Sequence, residues 1–460
     1  MKRSLPTTAL SVVALLAVLA LACLMYLPAL GFYFVADDFR YLELAARVRS
    51  LGDVFPYVRG ACTHVGWPLV VLAFWIGRTL GGVQPEPYRL IALGVHLANI
   101  VLVYALVRRV AAGKPLAAVI AALVLALHPR QHESVIWLSA LTWPAGTMFS
   151  LVAAYCYVAW RQTRRLWWLA FVWLAVALAM VSNPSTLVLP LVLAAYDVLQ
   201  RRWDRLSVAV WGVLLLTVGM LALECGVGRL PGGGGRVSYG LDLSGITHAG
   251  VFLSYIVWPV PLNLKELLAS TPVLGYAGAG LALAAVVALG LVILRRGTLL
   301  ARWGVLWALL AIVPPAFFSV SLSDHYMSLM LVGVALACAG VVQGLATRWT
   351  RLVVVLALVW AVLMLPQIAV KVRDWRNASE ITTAVRNETL ARYPAPISRG
   401  FFYVGLPDIV NRCVVWTYGI DSAVRLWYNN PRVYANKDVE WGVANRPAPT
   451  DHILDFSGRW

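Results

Sequence analysis

The sequence predicts an all-α polytopic membrane protein of about eleven transmembrane helices, with outer-face juxtamembrane helices and a small C-terminal α/β extracytoplasmic domain. Three observations predict it. Of 460 residues, 61% are hydrophobic and only 13% are charged, against roughly 25% charged in soluble domains. The apolar residues fall in long runs separated by short basic clusters. After Lys371 the composition changes, and β-prone runs broken by Gly, Pro and Asn take over. The net charge of +17 is spread over those clusters rather than gathered in one patch. That is the pattern of cytoplasmic loops facing anionic lipid, so the expected partner surface is membrane lipid and not nucleic acid.

The first run, 9–31, is long enough to cross, because about 20 helical residues span the hydrocarbon core. Lys2 and Arg3 precede it, which puts the N-terminus inside and the end of the run outside. Further spans are expected at 89–108, 115–128, 140–160, 166–181, 185–199, 207–224, 272–294, 301–319, 326–346 and 351–368. On this register every short basic cluster, from Arg108-Arg109 to Arg348 and Arg351, falls in an inner loop. Counting the 68–82 stretch as a span would invert all later loops. With only about 14 apolar residues it is too short to cross and reads as an interfacial or re-entrant piece. The apolar 252–260 stretch reads the same way, and the two suggest walls of a lipid-accessible cavity.

The expected organisation is therefore a transmembrane domain, 1–368, with outer loops at 32–88 and 226–272, followed by an extracytoplasmic cap, 369–460. The expected location is a bacterial cytoplasmic (inner) membrane with the C-terminus outside. Residues 41–50 read as an amphipathic helix. In the cap, a helical stretch runs to about Arg392, and 401–404, 414–418 and 423–428 read as β-prone. The six cysteines show no metal-ligand spacing; Cys62 and Cys413 both lie outside on this topology and could pair.

The ionisable residues gather at one depth, the outer boundary: Asp37, Asp38, His64, His128, His132, Glu133, Asp324 and His325. The spans themselves are almost free of them. Sites at the midplane and broken helices mark transporters, whereas this distribution suits chemistry on a lipid headgroup. Asp37-Asp38 follows the first span within a turn. A carboxylate there can be ionised, bind a cation and still reach a substrate whose tail lies in lipid; a solvated helix cap fits the same position. His128-Pro-Arg-Gln-His132-Glu133 offers an acid–base pair, a cation site shared with Asp37, or a loop satisfying helix ends. Asp324-His325-Tyr326 opens a span from outside, where free N–H groups favour phosphate; an N-cap with an interfacial aromatic belt fits as well.

Taken together these stretches resemble the C-type, polyprenyl-phosphate-sugar-dependent glycosyltransferases, and among them the transmembrane-and-tetratricopeptide-repeat protein O-mannosyltransferases and their bacterial relatives. Asp37-Asp38 resembles that family's first-loop acidic motif. Trp67-Pro68-Leu69 and Tyr88-Arg89-Leu through His96-Leu-Ala-Asn99 to Tyr104 resemble its "RPL … YHLVN … LLY" run. His128-Pro-Arg-Gln-His132-Glu133-Ser-Val resembles "HPxHTEAV". Trp258-Pro-Val, Asp324-His325-Tyr326 and Asp374-Trp375-Arg376 resemble its "WPV", "ERYLY" and "WR" segments. The departures are Ser182-Asn183-Pro184 in place of "SKE", His325 in place of the Arg of "ERY", and the α/β cap in place of repeats.

The resemblance implies transfer of a sugar from a polyprenyl-phosphate carrier to a glycan, protein or lipid acceptor on the outer face. On this reading Asp37 is the base, with Asp38 and Glu133 supporting it. His325, Tyr326, His132, His128, Arg40 and Trp67 bind donor phosphate or substrate. Asp37 with Glu133 is also a ligand pair for a divalent cation, Mg²⁺ or Mn²⁺. The other function class is non-catalytic, a lipid-linked sugar flippase or an assembly factor. The missing Lys–Glu pair favours it; the retained acidic pair and His-Glu loop oppose it.

Overall fold

The computed structural model describes residues 7–54, 68–111, 113–201, 244–257, 272–317, 322–395, 399–440 and 443–460. The expected span 207–224, the Trp67-Pro68 motif with its Trp67, His64, Cys62 and the Trp258-Pro-Val segment lie wholly or largely outside them. The described chain is mostly helix: α1 (Thr7–Tyr26), α2 (Asp38–Arg47), α3 (Pro68–Gly81), α4 (Glu86–Val110), α5 (Pro115–Leu127), α6 (His132–Ile136), α7 (Thr142–Thr163), α8 (Leu166–Ser182) and α9 (Leu189–Gln200). They are followed by α10 (Ser244–Val257), α11 (Pro272–Arg296), α12 (Leu299–Ala316), α13 (Ser328–Gly344), α14 (Thr350–Arg392) and, in the C-terminal region, α15 (Ile420–Trp427).

Among the described residues, five stretches are long and apolar enough to cross a membrane: Ala9–Gly31, Glu86–Val110, Leu299–Ala316, Asp324–Gly344 and Thr347–Arg392. A sixth arises if Pro129–Ile136 and Leu138–Thr163, bent by 103°, form one broken span. The chain is thus an integral membrane protein with a polytopic helical fold. Every expected span inside the described residues coincides with a helix. Three of them, α5, α8 and α9, are 13, 17 and 12 residues long, shorter than the roughly 20 that a full crossing takes.

Helix packing uses small residues where lipid offers no hydrophobic drive. Gly304 on α12 lies against Gly333 and Ala337 on α13, and a Cβ there would meet the Gly333 carbonyl oxygen at 2.6 Å. Helix α14 is continuous for 43 residues, about 65 Å at 1.5 Å per residue and twice the hydrocarbon thickness. Its two halves behave differently. Leu356, Leu358, Val362 and Leu363 are 57–65% exposed, as lipid-facing residues are, whereas Lys371, Asp374, Trp375, Ala378, Thr382 and Val385 are buried. The second half is therefore packed against other elements, and the helix runs through residue 369 without a break.

The C-terminal region has a parallel three-stranded sheet in the order β4–β1–β7, with β1 (Gly400–Val404) between β4 (Tyr434–Lys437) and β7 (His452–Asp455). Two small hairpins accompany it: β2 (Ile409–Val410) with β3 (Cys413–Val414), and β5 (Val439–Glu440) with β6 (Val443–Ala444). Asn411 and Arg412, with φ of 48° and 68°, close the first hairpin as a two-residue primed turn.

Three expectations change. Of the expected β-prone residues 423–428, 423–427 are helix and Tyr428 caps it: Ile420, Ala423 and Val424 bury one side of α15 while Asp421 and Arg425 line the other, a helical rather than alternating pattern. In 414–418 only the first residue is strand. The amphipathic helix expected from 41 begins at Asp38, which enters the first turn as an acidic residue favoured there.

Candidate functional site

The turn after the first span is held from three sides. Arg89 on α4 donates through Nε to the Phe32 carbonyl at 3.2 Å, through Nη2 to the Tyr33 carbonyl at 2.9 Å, and through Nη1 to that of Ile136. Asp38 is fully buried and fully bonded. Its Oδ1 accepts from Ser139 N at 2.9 Å and Ser139 Oγ at 2.7 Å, and its Oδ2 accepts from Val35 N at 3.2 Å. Burial raises the Asp38 carboxyl above the usual range, and the nearby Arg89 opposes that shift. The sequence reading gave Asp38 a supporting role, and its bonds are those of a strut between the turn and the 3₁₀ segment Leu138–Leu141.

The C-terminal region supplies the third side. Ala36 adopts a left-handed φ of 46°, costly for a residue with a Cβ. Its N–H donates to the Val415 carbonyl at 2.9 Å. Gly419, with φ of 93°, lies so close that a Cβ there would collide with the Ala36 carbonyl oxygen. Trp416 stacks on Phe39 with centroids 5.5 Å apart, and Lys437 donates to the Trp416 carbonyl at 2.6 Å.

Asp37 differs from its neighbour. It is partly exposed, and its Oδ1 accepts from Trp137 Nε1 at 3.2 Å. Burial first, and the Asp38 charge second, push its carboxyl up to about 7, where a general base works best at neutral pH. The Trp137 ring then faces His325 edge-on at 5.2 Å, so one indole touches both groups.

The 128–136 stretch, expected as a loop, is a 3₁₀ turn, Pro129–Gln131, running into α6. It meets the 3₁₀ turn Asp324–Met327 that precedes α13. Glu133 Oε2 accepts from His325 Nδ1 at 2.9 Å and from His325 N at 3.0 Å. The helix-start N–H expected for an anion is thus spent on Glu133. His325 Nε2 is left without a hydrogen-bond partner among the described residues, in a frame of Trp137, Trp143 and Tyr326.

Arg130 Nη1 reaches both Asp324 oxygens, at 2.8 and 3.2 Å. His132 lies between Asp324 Oδ2, 3.0 Å from Nε2, and Trp375 Nε1, 2.9 Å from Nδ1. Indole N–H only donates, so Nδ1 accepts and Nε2 carries the hydrogen facing Asp324. His132 is thereby a bridge between α6, α14 and the Asp324 turn.

His132, Glu133 and Asp324 offer ligand atoms within 4.8 Å of one another; Asp37, expected as the partner of Glu133, is not in that set. Asp324 already holds Arg130 and His132, and Glu133 Oε2 holds His325. The group is an ion-pair network whose cation is a guanidinium.

Of the other expected residues, His128 is buried and caps the 3₁₀ turn, its Nδ1 accepting from Arg130 N at 3.3 Å. Burial lowers its imidazole to about 3, so it is neutral. Arg40 lies on the exposed side of α2. Tyr326 packs against Trp143 at 4.8 Å. Sequence reading passed over Arg130, Trp137, Ser139 and Trp375. The one available signal was their place in or beside motifs already singled out.

Neither a protein-family model nor a curated protein matches the chain. Among solved structures it resembles ArnT from Cupriavidus metallidurans bound to undecaprenyl phosphate, with a TM-score of 0.51 and 14% identity, covering 94% of this chain and 86% of that one. The apo state of the same protein matches at 0.48 over the same shares. The class defined is that of a polytopic helical membrane fold with a small C-terminal sheet region, and that fold is similar to the fold of ArnT.

Proposed function

We propose that this protein is a glycosyltransferase that moves a sugar from a polyprenyl-phosphate carrier to an acceptor hydroxyl at the outer membrane face. The observation that carries the reading is the placing of Asp37 and His325 on two sides of Trp137. A base poised near neutrality and an imidazole backed by a carboxylate are what the two ends of such a transfer need. The fold shared with an undecaprenyl-phosphate-bound protein supports the carrier, and the ordered motif resemblance supports the reaction class.

In this reading the acceptor oxygen attacks the anomeric carbon and its proton passes to Asp37. The bond from that carbon to the phosphate oxygen breaks, and the lipid phosphate leaves with the electron pair. His325, aligned by Glu133, meets the developing charge through Nε2–H, with Tyr326 beside it. Asp38 and Arg89 hold the turn; His132 holds the Asp324 turn. No step is routed through Mg²⁺ or Mn²⁺, because the candidate ligands already bind one another and Arg130, and EDTA should leave turnover unchanged.

The test is release of undecaprenyl phosphate by purified protein from a panel of undecaprenyl-phosphate-linked hexoses. Release abolished by Asp37→Asn supports transfer. Wild-type protein that moves these lipids across vesicles without releasing phosphate would instead establish the flippase reading.

A further inference from the structure

Arg130 is a buried cation only partly used. It is 4% exposed, and its guanidinium carbon lies 3.8 Å from the centroid of the Tyr255 ring on α10, a close cation–π contact. Of its three nitrogens only Nη1 is spent, on Asp324. Nε and Nη2 have no hydrogen-bond partner among the described residues. A guanidinium kept only for a salt bridge needs no free donors beside a stacked aromatic. Asp324 and His325 are consecutive, so the turn that receives Arg130 also presents the unspent Nε2 of His325.

We propose that Arg130, stacked under Tyr255, is the permanent cation that grips the phosphate of the lipid carrier, alongside His325. This rests on the glycosyltransferase reading. Asp324 orients the guanidinium through Nη1, and Nε with Nη2 form the fork that matches two phosphate oxygens. Tyr255 fixes the plane of the fork and places α10 in the site wall. The ligand chemistry is an ionised phosphate, from either a membrane-embedded polyprenyl phosphate or a free anion. We assign the former, since Arg130 lies on a bent helical pair apolar enough to span.

The test uses the full-length protein in detergent, with undecaprenyl phosphate, uncharged undecaprenol and inorganic phosphate as probes. Undecaprenyl phosphate should bind Arg130→Ala about 10- to 100-fold more weakly than wild type. Arg130→Lys keeps the charge without the fork and should fall between them. Tyr255→Leu changes no charge at this pair and should weaken binding about 3- to 10-fold. Undecaprenol should bind all four proteins alike, and inorganic phosphate should compete weakly. Should Arg130→Ala fail to fold, the Lys and Leu variants decide: binding within about twofold of wild type in both overturns the assignment. Equal binding of inorganic phosphate and the lipid would overturn the carrier as source. Failure of wild type to bind undecaprenyl phosphate would remove the carrier reading itself.

Discussion

Glu133 and His325 are joined twice, 192 residues apart in sequence: one carboxylate oxygen accepts from the ring Nδ1–H at 2.9 Å and from the backbone N–H at 3.0 Å. The backbone bond fixes the turn; the ring bond fixes the direction of Nε2. Glu133→Gln can still accept both hydrogens but carries no charge. Turnover should drop about 10-fold or more, since a charge-assisted bond is roughly twice as strong as a neutral one, while the melting temperature shifts little. Glu133→Ala should lower both. Unchanged turnover in Glu133→Gln would reduce Glu133 to a cap for the Asp324 turn.

Asp37 should set the pH profile. A base must be ionised to work, so transfer should rise with pH through about 7, where burial and Asp38 hold its carboxyl. Asp37→Asn should cost at least about 100-fold in turnover. The stability sign is opposite. Between the ordinary carboxylate pKa and about 7 the folded state binds more protons at Asp37 than the unfolded state, so this group's contribution falls as pH rises, then levels off. Asp37→Asn removes that loss and should raise the melting temperature more at pH 8 than at pH 5. A flat activity profile from pH 6 to 8, limited by chemistry, would exclude Asp37 as the base.

The helices were legible because long apolar runs and basic clusters are strong one-dimensional signals, and every described span coincides with a helix. The acidic pair, the His-Glu stretch and Asp324-His325 were legible as unusual ionisable groups at helix ends. What joins them was not. That Glu133 faces His325 rather than Asp37, or that Arg130 pairs with Asp324, depends on contacts across 192 and 194 residues. The division of labour within Asp37-Asp38 was hidden too. It rests on Ser139 donating twice to the Asp38 carboxylate while the Trp137 indole N–H donates to Asp37. In α15 the β-branched and aromatic residues suggested a strand, but burial against α2 and β4 selects the helix.

Asp38 and Ser139 should behave as a structural pair. Removing the buried acceptor leaves Ser139 N–H and hydroxyl and the Val35 N–H without it. Asp38→Ala should therefore cost about 1–3 kcal/mol, and Ser139→Ala less, since only the hydroxyl is lost. Where the protein remains folded, Asp38→Asn should retain far more turnover than Asp37→Asn. The reverse order would transfer the catalytic role to Asp38.

The docking of the C-terminal region onto the acidic turn can be isolated with two glycines. Gly419 and Gly458 both have positive φ, 93° and 76°, so alanine at either carries a backbone penalty of about 1 kcal/mol. They differ in surroundings. A Cβ at Gly458 meets nothing within 4 Å, whereas one at Gly419 collides with the Ala36 carbonyl, next to Asp37. The Ala36 N–H bond to Val415 and the Trp416–Phe39 stack lie on the same contact, so the collision must be relieved by lifting this segment or by moving the turn. Gly458→Ala should lower the melting temperature slightly and leave turnover intact. Gly419→Ala should lower turnover at least about 10-fold at temperatures where circular dichroism shows it folded, because misplacing a base by an ångström costs that much or more. Its tryptophan fluorescence should also change, as Trp416 loses its stacked partner. Equal turnover in the two variants would separate the C-terminal region from the chemistry, leaving Asp37 to be positioned by Arg89 and Trp137 alone.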